Sequence, residues 1–153
     1  MKLAILSDTH GLLRPQVIEY LKTADAILHA GDIHTPAIAD ALRDLGKDLY
    51  LVRGNNDRDW ATDIPYSRRI ALAGLTFFLI HNRRDVPANL SGVDVVVYGH
   101  SHRYAQIEKD GVLWLNPGSC GPRRFNQEIT MAMLEAEGEK IRVEKMVLPH
   151  EMP

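Results

Sequence analysis

Strand and helix signals alternate at the start of the chain, in the stretch KLAILSDTHGLLRPQVIEYLKTADAILHAGD of residues 2–32. The runs KLAILS (Lys2–Ser7) and AILHA (Ala26–Ala30) predict buried strands, because they are short, apolar and bounded by turn residues. Between them, Val17, Ile18 and Leu21 have helical spacing. The stretch therefore predicts a strand, a helix and a second strand.

The same alternation continues as far as residue 54. A second helix is predicted from an apolar face that stops at a glycine, a common C-terminal signal: Ile38, Ala41, Leu42 and Leu45, then Gly46. The run DLYLVRG (Asp48–Gly54) predicts a third strand. Strands that alternate with helices form a parallel sheet with right-handed crossovers.

The later part of the chain has a different pattern, in which pairs of β-type runs surround a turn dipeptide. These dipeptides are Ala73-Gly74, Asp110-Gly111 and Glu137-Gly138, and they predict antiparallel hairpins. No linker or repeat divides the chain. Residues 1–153 are therefore predicted to form one α/β domain of two packed sheets with outer helices.

The composition of the 153-residue chain is ordinary for a soluble globular protein, with 45% hydrophobic and 25% charged residues. The formal net charge of −2 gives no overall basic field for nucleic acid. No apolar run approaches the length of a membrane span or of a signal-peptide core. The single cysteine, Cys120, rules out an internal disulfide, so we expect a cytoplasmic protein without membrane contact.

Polar residues with metal-binding side chains follow directly after each of several predicted strands. In chain order they are Asp8 and His10, Asp32, Asn55 to Asp57, His81, and His100 and His102. Ligands of open α/β sheets bind beyond the carboxyl ends of the strands, so we expect these side chains to meet in one crevice. The glycines that precede them, Gly31, Gly54 and Gly99, are expected to permit sharp turns into the site.

This combination of two aspartates, at least three histidines and an amide oxygen is a hard-to-borderline ligand set. Such a set suits Mn²⁺, Fe, Zn²⁺ or Ni²⁺ better than thiolate-binding metals. Carboxylates can bridge two cations, and cations about 3.5–4 Å apart recur in phosphoryl transfer. We therefore predict a site for two divalent metal ions, with Mn²⁺ favoured.

The motifs D-x-H, G-D, G-N-x-D, H and G-H-x-H occur in this order between Asp8 and His102. In that order they resemble the calcineurin-like metallophosphoesterase superfamily, and the chain is similar to its small single-domain bacterial and archaeal phosphodiesterase branch. The sequence NPGS (Asn116–Ser119) is also similar to that branch, so the resemblance covers essentially the whole chain. It implies a two-sheet αββα sandwich with mixed sheets and C-terminal antiparallel hairpins.

The resemblance also implies a role for each motif residue. Asp8, His10 and His102 would hold one metal, Asn55, His81 and His100 would complete the second site, and Asp32 would bridge the two. A hydroxide between the metals would attack phosphorus in line, without a covalent enzyme intermediate. The implied activity is a phosphodiesterase acting on a small phosphoester substrate. Relatives of this size often form dimers or tetramers, so a homo-oligomer is compatible with the resemblance.

The third motif departs from the family pattern at Asn56. The family usually has G-N-H-D or G-N-H-E, and its histidine is thought to assist the leaving oxygen, whereas this chain has GNND. An amide can donate a hydrogen bond but cannot act as a general acid. The next residue, Asp57, either orients a ligand histidine or forms the turn. Asn56 and Asp57 are the candidate catalytic residues.

Two other classes of function stay open. A relative in the eukaryotic retromer coat uses this fold as a partner-binding scaffold, although here every expected ligand position is filled. A nuclease with the same centre is not favoured, since neither the net charge nor a stacking platform supports it. Arg123 and Arg124, which follow the NPGS turn, keep nucleic acid as an alternative partner.

Several other residues near the motifs are candidates for lesser roles. His29 is expected in the core or behind the ligands, His34 at the surface, and His150 in a tail without a role. The guanidinium group of arginine can donate to two phosphate oxygens at once. Six arginines near the motifs are therefore candidates for substrate contact: Arg53, Arg58, Arg83, Arg84, Arg123 and Arg124.

Overall fold

Ten strands and two α-helices make up the fold in a computed structural model that describes residues 1–124, 126–138 and 140–149. The helices are α1 (Pro15–Lys22) and α2 (Pro36–Arg43). The strands, in chain order, are β1 (Lys2–Leu6), β2 (Ala26–His29), β3 (Asp48–Leu51), β4 (Ser67–Leu72), β5 (Leu75–Ile80), β6 (Val95–Val97), β7 (Tyr104–Lys109), β8 (Val112–Pro117), β9 (Ile129–Glu137) and β10 (Lys140–Leu148). Short 3₁₀ turns lie at Asp59–Ala61 and Arg83–Asp85.

The strands form two mixed sheets of five strands each. The first has the order β10-β9-β1-β2-β3, in which β1, β2 and β3 are parallel, as predicted, and the hairpin β9–β10 adds to β1 in the antiparallel sense. The second has the order β4-β5-β6-β8-β7, with β5, β6 and β8 parallel and an antiparallel strand at each edge. All three predicted hairpins are present, and the third extends the first sheet.

The main core lies between the two sheets. Its central side chains come from both of them: Leu3, Ile5 and Leu28 from the first, and Phe77, Leu79, Val95 and Val97 from the second. The alternate residues of β5 and β6 pack in a separate cluster on the outer face, with Phe78 and Val96 against Trp114. Burial on both faces explains why these strands are continuous apolar runs.

The two outer layers of the sandwich differ. Helices α1 and α2 cover the first sheet, where Val17, Leu21, Ile38 and Leu42 join the cluster beneath them. The second sheet is covered by the segment of residues 86–93, whose Val86 and Leu90 pack on it. Pro87 and Gly92 interrupt helix formation there. The two-sheet sandwich is thus confirmed. In the described part of the chain, the outer layer on the second sheet is a loop and not an α-helix.

The second helix is shorter than its predicted extent. It ends at Arg43, and the N–H of Gly46 donates to the Arg43 carbonyl at 3.1 Å in the turn that follows. Its apolar face is buried at Ile38 and Leu42, whereas Leu45 lies beyond the helix and is half-buried. Neither described α-helix has the length and hydropathy needed to cross a membrane.

Candidate metal centre

The loops that follow β1 and β2 meet at one edge of the sandwich and are hydrogen-bonded to each other. The N–H of Asp8 donates to the Gly31 carbonyl at 2.9 Å, and the N–H of His10 donates to the Asp32 carbonyl at 3.0 Å. The loop after β6 is joined in the same way to the loop after β5. The carboxyl ends of parallel strands therefore come together as the sequence pattern predicts.

Five of the predicted ligands form two overlapping groups whose ligand atoms lie within 4.8 Å of one another: Asp8, His10 and His102, and Asp8, Asp32 and His81. In the first group, Asp8 Oδ1 is 3.6 Å from His10 Nε2 and 3.3 Å from His102 Nε2. In the second, His81 Nε2 is 3.3 Å from Asp32 Oδ2 and 4.0 Å from Asp8 Oδ1. Asp32 Oδ2 also lies 3.6 Å from His10 Nε2, so the two groups are continuous.

The unpaired ligand atoms of this centre suit divalent cations. The buried atoms Asp8 Oδ1 and His81 Nε2 have no hydrogen-bond partner in the described part of the chain. Unsatisfied buried polar atoms are costly, so they indicate a missing partner. The Nε2 atoms of His10 and His102 face each other at 3.2 Å. Carboxylate oxygens and imidazole lone pairs that converge in this way are typical of divalent-metal sites.

The remaining polar atoms of these ligands are used to orient them. His81 Nδ1 lies 2.8 Å from the Ala30 carbonyl, and a donated hydrogen bond there leaves the Nε2 lone pair of the neutral ring for a cation. Asp8 Oδ2 accepts from Ser7 Oγ at 2.7 Å and from the His100 N–H at 3.1 Å. Its other oxygen, Oδ1, is therefore the one directed into the centre.

Mutual interaction keeps the two aspartates ionised. Burial opposes ionisation of Asp8, but its polar contacts with the imidazoles of His10 and His102 and the charge of His81 outweigh it, so the pKa of Asp8 lies below its usual range. Burial likewise opposes ionisation of Asp32, but the close contact with His81 and the charge of His81 lower the pKa of Asp32. Burial disfavours the charged form of His81, but the two carboxylates raise its pKa. Protons therefore compete with cations for His81, and metal affinity is expected to fall as the pH decreases.

The other two predicted ligands lie beside these groups. The ring of His100 is exposed and meets the His81 ring edge-on, with 5.3 Å between ring centroids. Asn55 is exposed and lines a cavity of about 360 Å³ together with His81, Arg53 and Tyr66. Both residues are therefore next to the second group, on the side that is open to solvent.

Asn56 is bound to Asp32. Its backbone N–H donates to Asp32 Oδ1 at 3.0 Å, and its side-chain Nδ2 donates to Asp32 Oδ2 at 3.2 Å. The amide that replaces the family histidine therefore holds the carboxylate that the resemblance places between the metals. Its own part in catalysis stays a prediction.

Asp57 is buried, and its carboxylate binds backbone amides. It accepts hydrogen bonds from the N–H groups of Ile33 at 3.0 Å, His34 at 2.7 Å and Gly54 at 3.0 Å. No imidazole is among its described hydrogen-bond partners. Of the two roles expected for Asp57, these contacts favour the turn, in which it joins the loop of Asp32 to its own loop.

The three glycines before the ligands serve two different purposes. Gly31 has φ of 103°, as the predicted sharp turn requires. The same prediction is wrong for Gly54 and Gly99, whose φ is not positive. They are needed for space, because a Cβ on Gly54 would overlap the Asp32 carboxylate and a Cβ on Gly99 would overlap Ser7 Oγ.

Five candidate ligands have a left-handed backbone. Their φ angles are 55° at Asp8, 45° at His10, 58° at Asp32, 74° at His100 and 64° at His102. This region costs an L-residue about 1–2 kcal/mol relative to ordinary conformations. Such strain at a polar cluster is typical of functional sites.

Two buried residues of the NPGS sequence support the centre, a role that sequence reasoning missed. Asn116 Nδ2 donates to the Gly99 carbonyl and to Ser101 Oγ, each at 3.1 Å, and so holds the loop between His100 and His102. Ser119 Oγ donates to the Asp8 carbonyl at 2.9 Å. The resemblance of NPGS to the family was the available signal, but its partners are set by the tertiary fold.

The remaining candidates lie outside the cluster. His29 is fully buried; its Nδ1 accepts from the Gly31 N–H at 3.0 Å, its Nε2 lies 3.1 Å from Thr9 Oγ1, and burial lowers its pKa to about 4. His34 is exposed, as predicted. Burial raises the pKa of Cys120 to about 12, so its thiol stays protonated. His150 lies outside the described residues.

Replacement of Gly99 should disturb the centre directly. In Gly99→Ala, the new Cβ overlaps Ser7 Oγ and comes to 2.7 Å from Asp8 Oδ2, so Asp8 must move. We expect a loss of about 1–3 kcal/mol in unfolding free energy together with a lower content of bound metal, measured by chemical unfolding and elemental analysis.

The matched control is Gly46→Ala. Gly46 has φ of 73° with no atom within 4 Å of a Cβ, so this change adds backbone strain far from any contact. It should lower stability and leave the metal content unchanged. A full metal complement in Gly99→Ala would contradict the assigned approach of Gly99 to Asp8.

Comparisons with known proteins identify relatives over almost the whole chain. A family model described as the calcineurin-like phosphoesterase superfamily domain matches residues 1–139. A probable metallophosphoesterase of Methanothermobacter thermautotrophicus is 30% identical over 159 aligned positions, which cover 94% of this chain and 91% of that protein.

Solved structures show the same architecture. An archaeal phosphodiesterase, described as novel, superposes with a TM-score of 0.81 at 27% identity, covering 97% of this chain and 100% of that one. Vps29 of Chaetomium thermophilum superposes with a TM-score of 0.78 at 20% identity, covering 96% and 97%. The second likeness concerns the fold alone.

Proposed function

The chain belongs to the calcineurin-like phosphoesterase superfamily, and we propose that it is a phosphodiesterase that uses two divalent metal ions, with Mn²⁺ favoured over Fe, Zn²⁺ and Ni²⁺. The observation that carries the proposal is the pair of overlapping aspartate and histidine groups that share Asp8. The similarity to an archaeal phosphodiesterase supports diesters as the substrate class.

The residues of the chain bind and orient the reacting groups. When bound, the two cations activate water as the nucleophile and offset the charge that builds on phosphate. The lowered pKa values of Asp8 and Asp32 keep both carboxylates anionic at neutral pH. The Ala30 carbonyl orients His81. Asn56 can donate a hydrogen bond to a leaving oxygen, but it has no acidic proton to transfer.

The proposed partition of ligands agrees with the first group, and of the three residues proposed to complete the second site only His81 belongs to the second group. Asp8, His10 and His102 would hold one cation, Asn55, His81 and His100 would complete the site of the other, and Asp32 would be shared by both. The geometry raises one alternative, because Asp8 is the residue that both groups share. The metal contents of the Asp32→Asn and Asp8→Asn variants would show which of the two carboxylates is shared by both metal sites.

The activity is tested with purified protein reconstituted with Mn²⁺. It should cleave bis(p-nitrophenyl) phosphate, and p-nitrophenyl phosphate should be the poorer substrate. Protein treated with a chelator serves as the control and should regain activity when Mn²⁺ is restored. Absence of turnover with Mn²⁺, Fe²⁺, Zn²⁺ and Ni²⁺ would rule the proposal out.

His102→Ala should weaken one metal site and leave the other. His102 Nε2 contacts Asp8 Oδ1 and His10 Nε2, both in the first group. Calorimetric titration of the metal-free protein with Mn²⁺ should show two binding events, of which only one is weakened, by about 10–100-fold or more. Arg43→Ala, which removes an exposed side chain at the end of α2 outside both groups, should leave both events intact. Equal weakening of both would show that the partition of His100 and His102 is wrong.

A non-catalytic scaffold is the second candidate function. The superposition with Vps29 supports it at the level of the fold, whereas the filled ligand positions support the enzyme. Elemental analysis of the purified protein separates the two. A metal-free protein that captures a stoichiometric partner would favour the scaffold.

We extend the proposal to the whole chain as one metallophosphoesterase domain of residues 1–153. A cytoplasmic location is proposed because a lone, buried cysteine suits a reducing compartment. A small phosphoester is the proposed substrate, and both a homo-oligomer and nucleic-acid binding stay predictions.

A further inference from the structure

A cavity of about 630 Å³ opens beside His100, between the segment after β5, the loop after β6 and the exposed face of β7. We propose that this cavity binds a second phosphate of the substrate, so that the substrate class is a phosphodiester with an additional phosphate on one arm. The inference rests on the proposed function, because the scissile diester is taken to lie at the metal centre.

The cavity is positively charged. Its described lining contains three arginines, Arg83, Arg84 and Arg103, and no aspartate or glutamate. None of the three guanidinium groups forms an ion pair within the described part of the chain, whereas Arg43 and Arg142 pair with acidic neighbours. An uncompensated positive cavity in a chain of net charge −2 concentrates anions locally.

Aromatic side chains limit the freedom of Arg83 at the edge of the cavity. Its guanidinium lies 5.9 Å from the centroid of the Trp114 ring, and its positive charge acts on the buried Tyr98, where it opposes the rise in pKa that burial causes. A side chain fixed by its neighbours loses less entropy when it binds. A guanidinium also matches two phosphate oxygens at once. Arg83 is therefore prepared to bind an anion.

The cavity is continuous with the candidate metal centre through His100. His100 lines the cavity, its N–H binds Asp8 Oδ2 at 3.1 Å, and its ring contacts the ring of His81. Ala105 and the half-exposed Ile107 provide an apolar wall for the arm between the two phosphates. One molecule can thus place a diester at the centre and a second phosphate among the arginines.

Two matched ester substrates test the inference. Thymidine 5′-(p-nitrophenyl phosphate) carries the diester alone, and its 3′-phosphorylated form adds one phosphate to the retained arm. With Mn²⁺-loaded wild-type protein, we expect kcat/KM to be about tenfold higher for the 3′-phosphorylated ester, the gain of a charge-assisted hydrogen-bonded pair. In the double variant Arg83→Met/Arg103→Gln, the two values should become nearly equal.

The control is Arg43→Gln/Arg142→Gln, which removes two positive charges from exposed arginines outside the cavity. It should keep the full preference for the phosphorylated ester. Loss of the preference in this control would show a general charge effect and overturn the assignment. Equal kcat/KM values for the two esters in the wild-type protein would overturn it as well.

Equilibrium binding separates failure of the subsite from failure of the proposed function. Thymidine 3′,5′-bisphosphate should bind about tenfold more tightly than thymidine 5′-phosphate in a calorimetric titration, and the Arg83→Met/Arg103→Gln variant should lose the difference. If neither ester is cleaved but this difference holds, the function fails and the anion subsite stands.

If both esters are cleaved equally and the difference in binding is absent, the subsite fails and the phosphodiesterase stands. Oligothymidylate identifies the source of the second phosphate. If oligothymidylate binds no more tightly than thymidine 3′,5′-bisphosphate, the substrate is a small molecule. If it binds much more tightly and its affinity falls with salt, the substrate is a nucleic acid.

Discussion

Asp32→Asn is expected to reduce hydrolysis of an aryl phosphodiester by about 10³-fold or more, because loss of cation stabilisation removes several kcal/mol from the transition state. Asp32 Oδ2 lies within 3.6 Å of both His10 Nε2 and His81 Nε2, which belong to different groups. A neutral amide bridges cations poorly, so both metals should be lost. Elemental analysis and the rate with bis(p-nitrophenyl) phosphate are the two measurements.

Asp8→Asn is the matched comparison, since Asp8 Oδ1 reaches His10, His81 and His102. If Asp32 bridges, Asp32→Asn should lower the metal content more than Asp8→Asn. Two metals retained in Asp32→Asn, with loss of both in Asp8→Asn, would transfer the bridging role to Asp8. Circular dichroism of each variant shows whether the fold is intact.

Asn56→His should accelerate the hydrolysis of diesters with poor leaving groups. General acid assistance contributes about 10²–10⁴-fold, and an amide at this position cannot supply it. The wild-type rate should therefore depend steeply on the basicity of the leaving group, while the variant shows a flatter dependence. We expect a gain near the lower end of this range, about 10²-fold for alkyl esters, because the Asp57 carboxylate is already engaged by three backbone amides and is less available to orient the new imidazole.

The measurement is a series of aryl and alkyl phosphodiesters assayed with both proteins at saturating Mn²⁺. Asn56→Gln is the control, since it changes size without adding a titratable group. It should lose the side-chain hydrogen bond to Asp32. Its rates should still depend on leaving-group basicity as steeply as those of the wild-type protein. Identical slopes in the wild-type and Asn56→His proteins, with both fully loaded with metal, would show that this position has no leaving-group role.

The loops that carry the ligands could be predicted from the sequence because each motif directly follows an apolar strand. Parallel strands end at the same edge, so strand order alone brings Asp8 and Asp32 together. Side chains on the second sheet, such as His81, required the packing of two sheets. The strand-end pattern led to the expectation of a common crevice, and the motif resemblance added the role of each residue in it.

Contacts between loops could not be predicted in the same way. A glycine required for space, such as Gly99, has the same appearance in a sequence as one required for a turn, such as Gly31. Asp57 binds amides of residues 33 and 34, which lie on a different loop. The partner of such a carboxylate depends on tertiary contacts, so its two expected roles could be separated only in the folded chain.

The left-handed backbone at the candidate ligands has a consequence for how such a centre evolves. Glycine would relax each of these positions and would also remove a ligand, so selection for a stable fold and selection for activity oppose each other there. A lineage that no longer needs the reaction would gain stability by accumulating glycines at Asp8, His10, Asp32, His100 and His102. Glycine at these positions in a related chain would therefore be the expected sign of a centre that has lost its chemistry.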